Sequence, residues 1–331
     1  MRPLCTTIEH KDVLLNYSDK VLTAGGVYTM YYFGGGYDED DVGRFMGAKE
    51  PVGKNVTGMR LRIGIALSQD GLHWSRLEGE HPSGCSLDLG KAGDFDELMV
   101  GWPQVVKHEV EGSERSSKSV FRMYYTTIDT STYPAAEIQK QTPLRYAVGL
   151  ATSEDGFRWT KLGRTFSGSA SSSSSSSSGD KSEHDASFDA GGVSRRHVIQ
   201  LSKKIGISRS SIAAEEDGQV LAEGHQSDLD SESSSSRYTM FYEGVSGGTH
   251  SVGIAKSADG VTWEAMPQPI LEPSGNQEDW DGKAVGSPYV VELPEGRLRM
   301  YYVGTNYAGV SAIGCAEGSS NDLTRWTRIQ M

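Results

Sequence analysis

The chain has 331 residues, 36% of them hydrophobic, with 40 glycines and a formal net charge of −12. The length suits one large domain or two ordinary ones, and so negative a charge excludes a general phosphate-backbone binder, which needs a basic face. Three cysteines (Cys5, Cys85 and Cys315) are too few for a disulfide framework, and their spacing fits no zinc motif.

The cysteines read as free thiols of a reducing compartment. Met1 to Asp12 has no apolar run of the signal-peptide kind. Together these make an intracellular location, cytoplasmic or plastid, the expectation. No apolar run is long enough to span a bilayer, so no membrane partner is expected.

From the N-terminus, an apolar inner strand is predicted over Val13 to Val21. A second strand carries Met30-Tyr31-Tyr32, and a third runs from Leu61 to Leu67. Then come Ser68-Gln69-Asp70-Gly71-Leu72-His73-Trp74. The same order recurs three times. Val100 to Val106 is followed by Met123-Tyr124-Tyr125, Tyr146 to Ala151, and Ser153 to Trp159. Val193 to Gln200 is followed by Met240-Phe241-Tyr242, Ser251 to Ala255, and Ser257 to Trp263. Val285 to Glu292 is followed by Met300-Tyr301-Tyr302, Ala312 to Ala316, and Ser320 to Trp326, with Leu323 in the Gly position. A repeat of this size made of short strands predicts an all-β fold, a β-propeller. It is a single domain of four recognisable blades, at about 11–80, 93–165, 186–266 and 279–331. Four blades could close on themselves; a fifth blade before the first is the other reading, and a five-bladed type is expected. The serine-rich tract 167–185 and the polar insertion 202–237 are expected to be loops or disordered, because they have little apolar area to bury.

A residue present in every blade serves the blade. Asp70, Asp155, Asp259 and Asp322, with the Trp that follows each, are therefore expected in turns and packing. The aromatic-Asp pairs Phe95-Asp96, Phe188-Asp189 and Trp280-Asp281 precede three inner strands at one distance and read as structural for the same reason.

Function is sought where blades align but residues differ. Val-Gly-Trp-Pro-Gln (100–104), Val-Ser-Arg-Arg-His (193–197) and Val-Gly-Ser-Pro-Tyr (285–289) share a frame. Spacing to the Met-aromatic pair adds Leu15 to Asp19 from blade one. One aligned position then holds Asp19, Gln104, His197 and Tyr289. Two residues earlier, on the same strand face, stand Tyr17, Trp102, Arg195 and Ser287. Such a polar, aromatic ring suits a ligand site on a wet axis; a hydrogen-bonded network closing the channel is the other reading. Arg196 is expected on the opposite face, in blade packing or at the surface. On the second strand Glu243 stands where other blades have Phe33, Thr126 and Val303. It is expected to be either desolvated with a raised pKa, as a general acid needs, or paired with a cation such as Arg195 or His197.

The Arg-Met-Tyr-Tyr-x-Gly and Gly-x-Ala-x-Ser-x-Asp-Gly-x-x-Trp phrases resemble the five-bladed propellers of the arabinanase, levansucrase and invertase superfamily (glycoside hydrolase families 43, 32 and 68). Leu89 to Asp96, Arg196-His197-Val198, Phe241 to Gly244 and Asp281 to Gly286 resemble an uncharacterised plant and algal branch of it. The resemblance covers almost the whole chain. It implies a glycosidase or transglycosidase working by carboxylate chemistry. Glu243 would be the general acid and Asp19 the base or nucleophile, with Trp102 and Tyr289 stacking on sugar. Tyr17, Gln104, Arg195, His197 and Ser287 would complete the substrate site. The chain lacks the invertase-type Trp-x-Asn-Asp-Pro, Arg-Asp-Pro and Glu-Cys motifs. The alternative is a propeller that binds a carbohydrate or another small molecule without turnover. A sialidase-like reading of the Asp-Gly turns ranks last, because only Arg195 is offered toward an arginine triad. No metal or organic cofactor and no nucleic-acid partner is expected.

Overall fold

The computed structural model describes residues 8–14, 26–36, 60–79, 81, 83–91, 93–110, 118–129, 131, 145–169, 187–201 and 237–329. Residues 170–185 and 202–236 of the two insertions, and Tyr17 and Asp19, lie outside the described residues, and β1 is described by its backbone alone. Sixteen strands form four antiparallel sheets of four. Blade one is β1 (Ile8–Leu14), β2 (Tyr28–Gly36), β3 (Arg60–Ser68) and β4 (Ser75–Leu77). Blade two is β5 (Gly101–Val110), β6 (Lys118–Ile128), β7 (Tyr146–Ser153) and β8 (Thr160–Phe166). Blade three is β9 (Val193–Ile199), β10 (Tyr238–Ser246), β11 (Thr249–Ser257) and β12 (Glu264–Ala265). Blade four is β13 (Ala284–Leu293), β14 (Arg297–Thr305), β15 (Ser311–Ser319) and β16 (Asp322–Ile329). The blades are arranged as a β-propeller, with no α-helix among the described residues.

The core lies between sheets. Tyr31, Phe33, Ile63 and Ile65 of blade one pack against Val105, Met123 and Tyr125 of blade two. Tyr124 and Leu150 pack against Val198 and Met240. Phe241, Val252 and Ile254 pack against Val290, Met300 and Tyr302. Burial of each such side chain stabilises the fold by about 1.5–3 kcal/mol.

The Asp-Gly turns build these interfaces. In blade one Asp70 Oδ1 accepts from the backbone N–H groups of Leu72 and His73, and Gly71 N–H donates to Ser68 Oγ. Asp155 and Asp259 hold their turns by the same contacts. Gly71, Gly156 and Gly260 have φ of +74°, +79° and +71°, which glycine adopts without a steric penalty. The next Trp meets the aromatic residue of the preceding blade edge to face. Tyr31–Trp159, Tyr124–Trp263 and Phe241–Trp326 have centroid distances of 5.8, 5.9 and 5.7 Å. Where that residue is Tyr, its hydroxyl donates to the turn glycine's carbonyl: Tyr31 to Gly156 and Tyr124 to Gly260. Where no hydroxyl arrives, the Trp takes the carbonyl itself. Trp326 Nε1 donates to Leu323 O, opposite Phe241, and Trp74 Nε1 donates to Gly71 O. Leu323, where the others have Gly, does not take a positive φ, so its turn needs no glycine. Tyr301, next in the series, is exposed with Val310, Ile313 and Ile329. Among the described residues, blade one makes no comparable interface with blade four.

The aromatic-Asp pairs are structural. Asp96, Asp189 and Asp281 are buried and accept from the hydroxyls of Tyr125, Tyr242 and Tyr302 at 2.8, 2.9 and 3.0 Å. Lys161 and Arg328 neutralise Asp96 and Asp281, each at 2.7 Å.

The ladder corrects one alignment. Gln104, His197 and Tyr289 lie opposite Tyr124, Phe241 and Tyr301. In blade one the residue opposite Tyr31 is Asp12, and β1 ends at Leu14. The predicted inner strand, Val13 to Val21, begins too late. Equal spacing to the Met-aromatic pair misled because blade one joins its first two strands by a longer loop than the three-residue turn Pro294–Gly296 of blade four. Loop length is free to vary; the ladder register is not.

Candidate functional site

Three inner strands bend at one place. The β5–β6 register shifts between Gly101 and Gln104, the β9–β10 register between Val193 and Arg196, and the β13–β14 register between Gly286 and Tyr289. Bulges of this kind re-aim side chains. Within two of them non-glycine residues take left-handed backbone, Trp102 at φ +46° and Ser287 at φ +52°. Such conformations cost about 1–3 kcal/mol each and cluster at functional sites.

The bends bring Trp102, Arg195 and Ser287 together. The Arg195 guanidinium lies 5.3 Å from the Trp102 ring centroid, and Nη1 donates to Ser287 Oγ at 2.6 Å. Glu243 joins them from β10. Its Oε2 accepts from Ser287 N–H at 2.7 Å, and its Oε1 lies 2.6 Å from His250 Nδ1. Gly286 makes the approach feasible, because a Cβ there would sit 2.3 Å from Glu243 Oε2. The site thus draws on blades two, three and four.

Glu243 is 7% exposed. Burial pushes its carboxyl up, but His250, Arg195 and Ser287 N–H together hold it below the usual carboxylate range. Of the two expectations for Glu243, the geometry realises pairing, with His250 the close partner. A carboxylate so held is placed to accept hydrogen bonds. Burial first, then the Glu243 charge, raises the Tyr146 phenol at the start of β7, with Arg195 opposing.

The aligned set behaves differently. Gln104 Nε2 donates to Val198 O at 2.9 Å, and its Oε1 accepts from Val198 N–H at 2.7 Å. One blade on, His197 Nδ1 accepts from Val290 N–H at 3.1 Å. Both clamp one inner strand to the next, the network reading of this ring. His197 also packs on Tyr289, with centroids 4.3 Å apart, and Tyr289 is half exposed. Burial, then Arg196, pushes the His197 pKa down to about 4, so the ring is neutral at neutral pH. Arg196 serves blade packing. It is buried and reaches back to Tyr124 O and Thr126 Oγ1 of blade two.

Sequence reasoning missed His250, Tyr146 and Asp12. His250 lies opposite Val245 across the hairpin, just before the third-strand segment Ser251 to Ala255 that the repeat marks. The pairing of β10 with β11 would have placed it near Glu243.

One cluster could hold a metal ion. Donor atoms of His81, Cys85 and Asp88 lie within 4.8 Å of one another, at the outer edge of blade one. Neighbours already engage two of them. Arg62 Nε is 2.7 Å from Asp88 Oδ1, and Ser83 Oγ is 2.8 Å from His81 Nδ1. Burial raises the Cys85 thiol, which opposes the thiolate a metal needs. Cys85 and Cys315 are free and buried.

No family model and no curated protein matches the sequence. Solved structures do match in fold. A glycosyl hydrolase from Bacteroides ovatus superposes with a TM-score of 0.53 at 19% identity, over 92% of this chain and 67% of that one. A structure from the GH130 family of mannoside phosphorylases, which contains glycoside hydrolases that target β-1,2 mannosidic linkages in Candida mannan, gives 0.50 at 19%, over 92% and 67%. The β-1,2-mannobiose phosphorylase from Listeria innocua gives 0.51 at 13%, over 99% and 78%. At these identities the likeness shows the fold: the chain shares its propeller architecture with solved glycoside hydrolases and phosphorylases.

Proposed function

We propose that this propeller acts on a carbohydrate by acid–base chemistry centred on Glu243, as a glycosidase or transglycosidase. The observation that carries the reading is the ionised, buried Glu243 at the meeting of three blades, beside two backbone positions strained into left-handed geometry. Nothing in blade architecture requires it, since the other blades have Phe33, Thr126 and Val303 in its place. Trp102 offers a ring for stacking on a sugar face, and Arg195 with Ser287 offers donors to its hydroxyls. Gln104, His197 and Tyr289 belong to the proposed substrate set on blades two, three and four, and Tyr17 to the same set on blade one. Glycoside hydrolysis usually needs a second carboxylate, and blade one supplies two candidates. Asp12 holds the aligned ladder position, and Asp19 follows it. The repeat phrases support placing the chain in the arabinanase, levansucrase and invertase superfamily and its plant and algal branch. The solved neighbours make β-1,2-linked mannosides the first substrates to try.

The test is a screen of the purified protein against aryl glycosides, fructans and β-1,2-mannobiose, with and without inorganic phosphate. Asp12→Asn and Asp19→Asn serve as variants. Turnover lost in one of the two identifies the second carboxylate.

A second reading is a propeller that binds the sugar without turnover. It is favoured by one observation: protein groups already engage both Glu243 oxygens. Binding unaffected by Glu243→Gln, with no product, would select it.

A further inference from the structure

The geometry points to His250, not Glu243, as the group that exchanges a proton with the ligand, and to Glu243 as the residue that positions it. The inference rests on the carbohydrate-active reading above and assigns the roles within that site.

Reach is the first argument. The Glu243 side chain is 10% exposed, whereas the His250 ring is 36% exposed. A general acid or base must come within hydrogen-bond distance of the atom it serves. Glu243 meets Ser287 N–H with one oxygen and His250 with the other. Both oxygens therefore already serve protein donors, on a side chain with little exposed surface.

Direction is the second argument. The 2.6 Å contact uses Nδ1 of the ring. An imidazole tied to a carboxylate through Nδ1 is fixed in orientation and tautomer, and its Nε2 becomes the working nitrogen. Among the described residues, Nε2 of His250 makes no hydrogen bond.

The surroundings are the third argument. The groups whose charges couple to Glu243 are His250 on β11, Arg195 on β9 and Tyr146 on β7. Glu243 touches the ring directly, at 2.6 Å. Arg195 reaches instead toward Ser287 and Trp102.

The step balances as follows. The bond from the anomeric carbon to the leaving oxygen breaks with its electron pair on that oxygen. The oxygen takes the Nε2 proton of the His250 imidazolium. Water adds its oxygen to the anomeric carbon, and the proton it loses returns to the neutral imidazole through solvent. One water is consumed, and His250 ends protonated as it began.

Two measurements decide the matter. The first is the tautomer of the His250 ring, read from its ring-nitrogen chemical shifts by nuclear magnetic resonance in the native chain and in Glu243→Gln. The second is the pH profile of turnover in the native chain, Glu243→Gln, His250→Asn and His250→Gln. The inference predicts that the neutral native ring keeps its proton on Nδ1, facing Glu243, and that Glu243→Gln weakens this preference and lowers turnover. Both His250 variants should lose at least a hundredfold in turnover and change the shape of the pH profile. Turnover with an unchanged pH profile in the His250 variants, or a ring tautomer unmoved by Glu243→Gln, overturns the inference and leaves the carbohydrate-active reading standing. A coupled ring in a protein that turns over no glycoside overturns both and assigns the pair to structure.

Discussion

The hydroxyl of Tyr124, on blade two, donates to the carbonyl of Gly260 in the turn of blade three at 2.7 Å. The bond is buried and joins residues 136 positions apart. Loss of one such neutral hydrogen bond costs about 0.5–1.5 kcal/mol. Tyr124→Phe should cost no more than that, because Trp263 Nε1 is unpartnered and can take the vacated carbonyl, as Trp326 does opposite Phe241. Gly260→Ala should cost more. Its φ is +71°, and a new Cβ would sit 2.9 Å from Tyr124 Oη. Chemical denaturation of both variants checks the order; equal losses would contradict it.

His197 predicts an acid-sensitive clamp. Its folded pKa of about 4 lies below the ordinary 6.5. Above 6.5 the ring is neutral in both states, and its contribution to stability is fully present. Between 6.5 and 4 the unfolded chain binds the proton and the folded chain does not, so stability falls with pH, by on the order of 3 kcal/mol across that window. His197→Gln, which installs the residue blade two uses at the same place, should flatten this limb while holding the clamp at neutral pH. Thermal unfolding at a series of pH values measures it.

Alkali should act through the tyrosines. Burial pushes the Tyr302 phenol up to about 12, helped by its bond to Asp281, and raises those of Tyr125 and Tyr242 as well. A raised folded pKa contributes stability that is present below pH 10 and is lost as pH rises through the folded value. For Tyr302 that window is 10 to about 12. Tyrosinate absorbance at these positions should therefore appear together with loss of near-ultraviolet circular dichroism, not ahead of it. Ionisation of the buried tyrosines in a still-folded protein would contradict this.

Ser287→Gly separates stability from function. Glycine accepts φ +52° without strain, and the backbone N–H to Glu243 remains. The Oγ that receives Arg195 is lost. Relief of about 1–3 kcal/mol of strain should offset a charge-assisted hydrogen bond worth about 1.5–3 kcal/mol, so the melting temperature should barely change. Ligand affinity or turnover should fall at least tenfold.

Most of the fold was legible because its signals are local and repeated. Four copies of Met-aromatic-aromatic and of the Asp-Gly turn give the blades, and repetition correctly reads Asp70, Asp155 and Asp259 as turn residues and Asp96, Asp189 and Asp281 as structural. The cluster of Trp102, Arg195, Ser287 and Glu243 was legible because a repeat breaks there within a fixed register. Blade one's aligned residue was not, because spacing across a loop carries no register, and Asp12 holds the place expected for Asp19. His250 was hidden for a different reason. Its contact with Glu243 runs across the β10–β11 hairpin, a relationship visible only once the hairpin is paired.

The most direct measurement is product formation from oligosaccharides by the native chain and by Glu243→Gln, with binding of the same sugars followed by calorimetry. The account predicts that the native chain releases a sugar product and that Glu243→Gln binds within about tenfold of native while turnover falls at least a hundredfold, a loss of about 2.7 kcal/mol of transition-state stabilisation. Equal turnover by the two proteins, or none by the native chain, would contradict it.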